Sequence, residues 1–314
     1  MLGAYKITMK NKSASGKLSI IVVSYRRLEE LVQCIDDLSA QYIGDLFELV
    51  LVLQGYSDNE VSAISKRAER ITSVVILKFT DGIGIHAARN AGMRAATGSI
   101  IGFVDDDCRI PIHWVRLLLE AFNNPQIGGV GGFVRHPGLR KPFRDWLYPL
   151  LGVSASRYRI DWGGFSAGPV TKIPSMEQQA DWLSGGNMSF RRTAIERVGE
   201  FDTEYGTYGF DDVDYCLRIR QAGYKLRVIP GLTVDHYPSG KNRISLSEHI
   251  YEQERRRVYF VKKFIGHKRF WRLLYLGRFS LHLFLLSAMA LRNLRPGILI
   301  NGIRGSCSGL QTYK

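Results

Sequence analysis

The chain has 314 residues, enough for one large core or two smaller domains, and its 45% apolar and 23% charged residues are those of an ordinary soluble protein. Four scattered cysteines, Cys34, Cys108, Cys216 and Cys307, lack CxxC spacing, which argues against a zinc site or a disulfide framework and fits a reducing compartment. The net charge of +14 is uneven: residues 241–314 hold 15 Lys and Arg against 3 acids, so the anionic partner this implies, membrane surface or nucleic acid, belongs to the tail.

Residues 1–17, with Lys6, Lys10, Lys12 and Lys17, read as a frayed basic leader without the apolar stretch of a signal peptide. Leu18 to Val23 is a β-branched run, expected to be a buried parallel strand. Leu28, Leu31, Val32, Ile35 and Leu38 then recur at helical spacing. Glu48–Leu53 and Val74–Leu77 are further strands, and Asp58 is placed to cap the helix between them. Ile85–Ala96 predicts a helix ended by Thr97-Gly98. The strand Ser99–Val104 follows and runs straight into Asp105-Asp106-Asp107. Strands alternating with helices imply a mostly parallel sheet whose strand ends and following loops gather at one edge.

Three adjacent carboxylates repel one another, so folding alone gives no reason for them at a strand end. A divalent cation does, since hard oxygen ligands suit Mg²⁺ or Mn²⁺. Beyond them, Pro111 is placed to open a helix through Phe122, and Ile127–Val134 is a Gly-rich strand candidate. Residues 137–180 are irregular, with Trp146, Tyr148 and Trp162 among many Gly, Pro and Ser, and read as either a functional loop or a disordered one. A strand is expected at Met188–Phe190, a helix from Asp211 to Ala222 stopped by Gly223, and a strand at Leu226–Ile229.

Four blocks now stand in order: Ile21-Val22-Val23-Ser24-Tyr25-Arg26; Ala87-Ala88-Arg89-Asn90-Ala91-Gly92 leading to Phe103-Val104-Asp105-Asp106-Asp107; Trp182-Leu183-Ser184-Gly185-Gly186-Asn187; and Gly209-Phe210-Asp211-Asp212-Val213-Asp214. Over roughly residues 18–237 the chain resembles the family 2 glycosyltransferases, inverting enzymes of the GT-A fold. The resemblance implies an α/β fold with a mostly parallel sheet flanked by helices over 18–240, followed by a basic helical extension over 241–314.

It also implies roles. Ser24, Tyr25 and Arg26 would meet the nucleotide, with Tyr25 as a wall for the base. Arg89 would approach the diphosphate. Asp105 and Asp107 match the DxD motif: Asp105 would touch the ribose or the metal through water, Asp107 would bind the metal, and Asp106 would lie near the sugar. Trp182, Gly185, Gly186, Asn187 and Asp211 would line the sugar and acceptor pocket. Asp212 would be the general base, with Asp211 standing where the family usually has glutamate. His236 would complete the metal shell or touch the diphosphate, and Asp235 could orient its ring. The sequence departs from the family at Leu53, where an aspartate usually accepts a hydrogen bond from the base; Gln54 or Asp58 is left to replace it.

In the tail, Phe279–Leu291 is only 13 residues free of Lys, Arg, Asp and Glu, short of a span, and Arg278 shares a helical face with His282. That favours an amphipathic helix in the plane of an anionic membrane, over a helix packed on the catalytic domain or a nucleic-acid-binding tail. The expectation is therefore a metal-dependent inverting transferase, peripheral at the inner face of the cell membrane. It would move a sugar from a UDP- or dTDP-linked donor to a glycan or lipid-linked acceptor, without nucleic acid. The rivals are a sugar nucleotidyltransferase and an inactive relative serving as a membrane scaffold.

Overall fold

The computed structural model describes residues 5–9, 18–41, 47–137, 158–160, 163–164, 166–167, 175–206, 209–238, 245–292 and 295–313. The chain divides into two compact units, one of residues 1–141 and 168–239, the other of 142–167 and 240–314. Residues 142–167 thus group with the C-terminal helices rather than with the sheet unit that surrounds them in sequence.

The first unit opens with β1 (Tyr5–Met9), β2 (Leu18–Tyr25), α1 (Leu28–Ser39), β3 (Phe47–Gln54), α2 (Asp58–Arg67), β4 (Ser73–Phe79), α3 (Ile85–Ala95) and β5 (Ile100–Asp105). It continues with β6 (Cys108–Arg109), α4 (Trp114–Ala121), β7 (Ile127–Gly131) and β8 (Val134–Arg135). A short hairpin, β9 (Arg159–Ile160) and β10 (Ser166–Ala167), belongs to the second unit. The first unit resumes with β11 (Gln178–Ala180), β12 (Asn187–Arg191), α5 (Arg192–Val198), α6 (Asp211–Gln221), β13 (Lys225–Val228) and β14 (Val234–His236).

Nine strands form one sheet in the order β1-β4-β3-β2-β5-β12-β7-β13-β11. The sheet is mostly parallel: β2, β3, β4, β5, β7 and β13 run one way, while β1, β11 and β12 run against them. All eight residues of β3 are buried, as expected of a central strand covered on both faces. β12 lies antiparallel between β5 and β7, with Asn187 opposite Val104, so a strand end reaches the edge where β5 delivers its aspartates.

Two readings of the N-terminal part are corrected. Tyr5–Met9 is not frayed but pairs antiparallel along β4, from Tyr5 opposite Lys78 to Met9 opposite Val74. Its alternating apolar and polar residues suit an edge strand, and the edge of β4 offers the unpaired backbone groups. The cap of α2 is Ser57 rather than Asp58: its side chain accepts from the Glu60 N–H, and the Glu60 carboxylate takes the Ser57 N–H in return. Pro111 precedes α4 by one turn, its carbonyl accepting from the Trp114 N–H. Most of the irregular stretch at 137–180, including Trp146, Tyr148 and Trp162, lies outside the described residues.

The second unit holds α7 (Leu246–Ile265), α8 (Trp271–Arg292) and α9 (Gly297–Thr312). Small residues let α9 approach α7 closely: a Cβ on Gly305 would lie 2.2 Å from the Tyr251 carbonyl, and one on Gly309 would lie 2.8 Å from Val258 Cβ. Inside, Glu254 is buried against the Arg257 guanidinium at 3.0 Å and the His282 ring at 3.2 Å. Burial alone would raise the Glu254 carboxyl, but Arg257 and His282 override it and hold it down to about 2. Among the described residues, no helix is long and apolar enough to cross a membrane.

Candidate active site

The site lies in the first unit, at the edge where β2, β3 and β5 end. β5 carries Asp105 out of the sheet, and the chain turns at once into β6. β6, β14 and β8 form a small separate sheet in which His236 sits opposite Cys108. That pairing brings His236 back to the aspartates, its Nε2 2.8 Å from Asp107 Oδ1. Ligand atoms of Asp105, Asp107 and His236 all lie within 4.8 Å of one another.

The three adjacent aspartates take three different environments. The Asp105 side chain is 36% exposed. Asp106 is buried: Ser24 Oγ donates to its Oδ2 at 2.5 Å, and Arg27 Nη1 lies 3.1 Å from its Oδ1. Burial pushes the Asp106 carboxyl up to about 7 although Arg27 and Ser24 oppose it. Asp106 is therefore an internal anchor rather than a surface for the sugar. Arg27 Nη1 also donates to Asp107 Oδ2 at 2.9 Å, so one guanidinium ties two neighbouring carboxylates. Tyr56 completes the anchor, its hydroxyl 2.6 Å from Ser24 Oγ and accepting from the Arg27 N–H.

A second buried arginine joins the other acids. Arg89, on α3, pairs with Asp211, reaches Asp105 Oδ1 at 3.4 Å and donates to the Gly185 carbonyl at 2.9 Å. Its side chain is 5% exposed, so it is a strut of the site and does not reach out toward a diphosphate. His86, one turn earlier on α3, approaches the other Asp211 oxygen at 3.5 Å. The aspartates at the start of α6 follow two left-handed residues, Gly209 (φ 91°) and Phe210 (φ 64°). Left-handed backbone at a non-glycine residue is costly and recurs at functional sites. Tyr205 stacks on Phe210 with ring centroids 6.1 Å apart.

Asp212 is fixed by backbone donors, the Gly185 N–H at 3.1 Å and the Val213 N–H at 2.8 Å. Burial raises its carboxyl above the usual range; Arg89 and the two N–H groups oppose that, and Asp105 adds to it. Gly185 and Gly186 are tight approaches. A Cβ on Gly186 would lie 2.9 Å from Asp105 Oδ2, and one on Gly185 would lie 3.0 Å from Arg89 Nη2.

Several expected residues sit elsewhere. Asn187 is buried and structural: it accepts from Trp114 Nε1 at 3.2 Å and donates to the Leu232 carbonyl at 2.7 Å. Trp182 is buried as well. Asp235 pairs with Arg135 instead of orienting His236, whose Nδ1 lies 3.3 Å from His136 Nδ1. Asp58 is on the surface, paired with Lys78. Gln54 is turned inward, accepting from the Ile83 N–H at 2.8 Å. Beside the β2 end, the Tyr25 hydroxyl donates to Asp81 at 3.1 Å, and the Arg26 guanidinium stands over the Tyr25 ring. Arg27, His86 and Asp81 went unassigned in the sequence; Arg27 had a signal in standing next to Arg26 opposite a run of acids.

Charge and donor chemistry suit a divalent ion. Five acids, Asp105, Asp106, Asp107, Asp211 and Asp212, are set against two guanidiniums, Arg27 and Arg89, and burial favours the neutral form of Asp106 and Asp212. Asp105, Asp107 and His236 offer oxygen and imidazole donors that fit Mg²⁺ or Mn²⁺.

The profile of Glycosyl transferase family 2 matches residues 19–199, more than half of the chain, and that of the N-terminal domain of galactosyltransferase matches residues 172–242. A glucosyl-dolichyl phosphate glucuronosyltransferase from Haloferax volcanii is 29% identical over 232 residues, covering 70% of this chain and 69% of that protein. A mannosyltransferase from Pyrobaculum calidifontis, solved with GDP-Man and Mn²⁺, aligns over 96% of this chain and 89% of its own, at 19% identity and TM-score 0.61. GalNAc-T7, solved with UDP, GalNAc and Mn²⁺, aligns over 78% of this chain and 48% of its own, at 14% identity and TM-score 0.53. The matched segment runs from β2 through the aspartate strand and β12, and the shared architecture is the GT-A fold: this chain belongs to glycosyl transferase family 2.

Proposed function

We propose that this glycosyltransferase moves a sugar from a nucleoside-diphosphate sugar to a hydroxyl of a glycan or lipid-linked glycan, with inversion at the sugar carbon. The observation that carries this reading is the joint placement of Asp105, Asp107 and His236 beside a half-buried Asp212 held by backbone N–H groups. Asp105, Asp107 and His236 would hold Mg²⁺ or Mn²⁺, which when bound neutralises charge growing on the departing diphosphate.

The chain's own residues do the rest. Asp212 is the base. Its carboxyl is raised by burial, toward the proton affinity useful for accepting a proton from the acceptor hydroxyl. The Gly185 and Val213 N–H groups hold its two oxygens, so the base is oriented before substrate arrives. Arg89 holds Asp211, Asp105 and the Gly185 carbonyl together, which fixes the distance between the donor and acceptor sides. Tyr25 forms the wall for the base, with Asp81 beside it as the acceptor that Leu53 cannot be. UDP- and dTDP-sugars are the donors we expect, and the inner face of the cell membrane is the place we expect the enzyme to work.

The test is a thermal-shift and calorimetric screen of the full chain against UDP, dTDP, GDP and CDP, each with and without Mn²⁺. One diphosphate should stabilise the protein in a metal-dependent way, and Asp107→Ala should remove the metal dependence. No response to any of the four would overturn the reading.

A further inference from the structure

Helix α8 is apolar on its exposed side as well as on its buried side. Its polar residue His282 faces inward onto buried Glu254, while Leu273, Leu276, Phe284 and Leu291 are 65%, 43%, 57% and 77% exposed. At 100° per residue these four fall within an arc of about 80°. Tyr275, Phe279, Leu286 and Ala290 form the buried side of the same helix. The exposed line is therefore a predominantly apolar face, interrupted by Ser280 and Ser287, and not a set of scattered surface leucines.

The end of α7, the turn after it and the start of α8 are basic and aromatic. Lys263, His267, Lys268, Arg269, Phe270 and Arg272 are all exposed, and the Arg269 guanidinium stands over the Phe270 ring at 5.5 Å. From Arg255 to Lys314 the sequence has 13 Lys and Arg and no Asp or Glu. Arg255, Arg256 and Arg257 are paired with Glu252 and Glu254, and the remaining ten basic residues outnumber the acids of the region.

We propose that the exposed face of α8, with the basic turn that precedes it, is a docking surface for an anionic phospholipid bilayer. Leu273, Leu276, Phe284 and Leu291 enter the boundary between headgroups and acyl chains, and Lys263, Lys268, Arg269 and Arg272 meet the lipid phosphates. Charge complementarity selects this occupant. A second copy of the chain would bring the same net positive charge to the interface. A nucleic acid would answer the charge and leave the leucines and Phe284 without a partner. The surface stands on its own, whatever donor the sheet unit takes.

The experiment is co-sedimentation of the full chain with vesicles of phosphatidylcholine alone, or with about 30% phosphatidylglycerol added. Binding should require phosphatidylglycerol and fall at least tenfold as salt rises from about 0.1 to about 0.5 M. Leu276→Asp/Phe284→Asp should weaken binding at least tenfold. Lys268→Glu/Arg269→Glu/Arg272→Glu should weaken it on the order of 100-fold, at roughly fivefold for each basic residue removed. Circular dichroism and thermal unfolding of the variants establish that they are folded. Equal binding to both vesicle types would overturn the proposal. So would folded apolar-face variants that bind like the parent, or a parent protein that buries this face by dimerising without lipid.

Discussion

Replacing Arg89 by methionine tests whether buried counter-charge holds the acids of the site in register. The Arg89 and Asp211 side chains are 5% and 6% exposed, so solvent screens their pairing little. Methionine keeps the unbranched stem and removes the charge, leaving Asp211 without its guanidinium partner and beside the His86 ring. Stranding a buried charge in this way costs about 3–5 kcal/mol. A domain has only about 5–15 kcal/mol in total, so the single variant should fold with much reduced stability. Adding Asp211→Asn removes the stranded charge. The double variant should then be more stable than the Arg89→Met single by about 2 kcal/mol, within the range of coupling between residues in direct contact. The assay is urea unfolding of the parent, both singles and the double, followed by tryptophan fluorescence. If the double variant were no more stable than Arg89→Met, the pair would not be an electrostatic strut, and the account of Asp105 and Gly185 as held through Arg89 would fail with it.

Asp212→Asn should keep metal-dependent diphosphate binding and lower turnover about 10²–10⁴-fold, the usual contribution of a positioned base; a near-normal rate would remove Asp212 from that role. Because burial raises the Asp212 carboxyl, and the base must be ionised, the rate should fall on the acid side at a pH above the ordinary aspartate range, as a pH profile of kcat would record. Glu254 has a depressed carboxyl at about 2, so its contribution to stability is present above the unfolded value near 4.5 and is lost as pH falls toward 2. That shift corresponds to about 3 kcal/mol, which Glu254→Gln should forfeit at neutral pH in a denaturation curve and much less so in acid.

The parallel half of the sheet was legible because its strands are continuous apolar runs and its helices have clear spacing, as in Leu18–Val23 and Leu28 to Leu38. The edge strand Tyr5–Met9 was hidden by the lysines around it, which dominate composition over so short a segment. The sequence singled out Asp105, Asp107 and His236, whose ligand atoms the fold brings within 4.8 Å of one another, because adjacent carboxylates at a strand end have few structural reasons to exist. Asp106, Asn187 and Arg89 could not be sorted from sequence. Each has the residue type of a ligand contact, and only the partners that long-range pairing supplies, Ser24 and Arg27, Trp114 and Leu232, Asp211 and Gly185, assign them to the framework. Asp235 is the same lesson in reverse: adjacency to His236 suggested a partner, and strand alternation sends neighbouring side chains to opposite faces.

The three-stranded sheet of β6, β14 and β8 has a bearing on how the enzyme comes into being. Asp105 and Asp107 emerge with the first βα units, whose contacts are local, but His236 reaches them only after β13 and β14 have been made and paired. Closing so long a loop is entropically slow compared with forming the early parallel strands. A chain still being synthesised would thus display its aspartates well before it could grip an ion with a full set of donors. Completion of the proposed metal grip would in this sense be a late checkpoint of folding, and metal affinity measured during refolding should rise after the bulk of the sheet has formed.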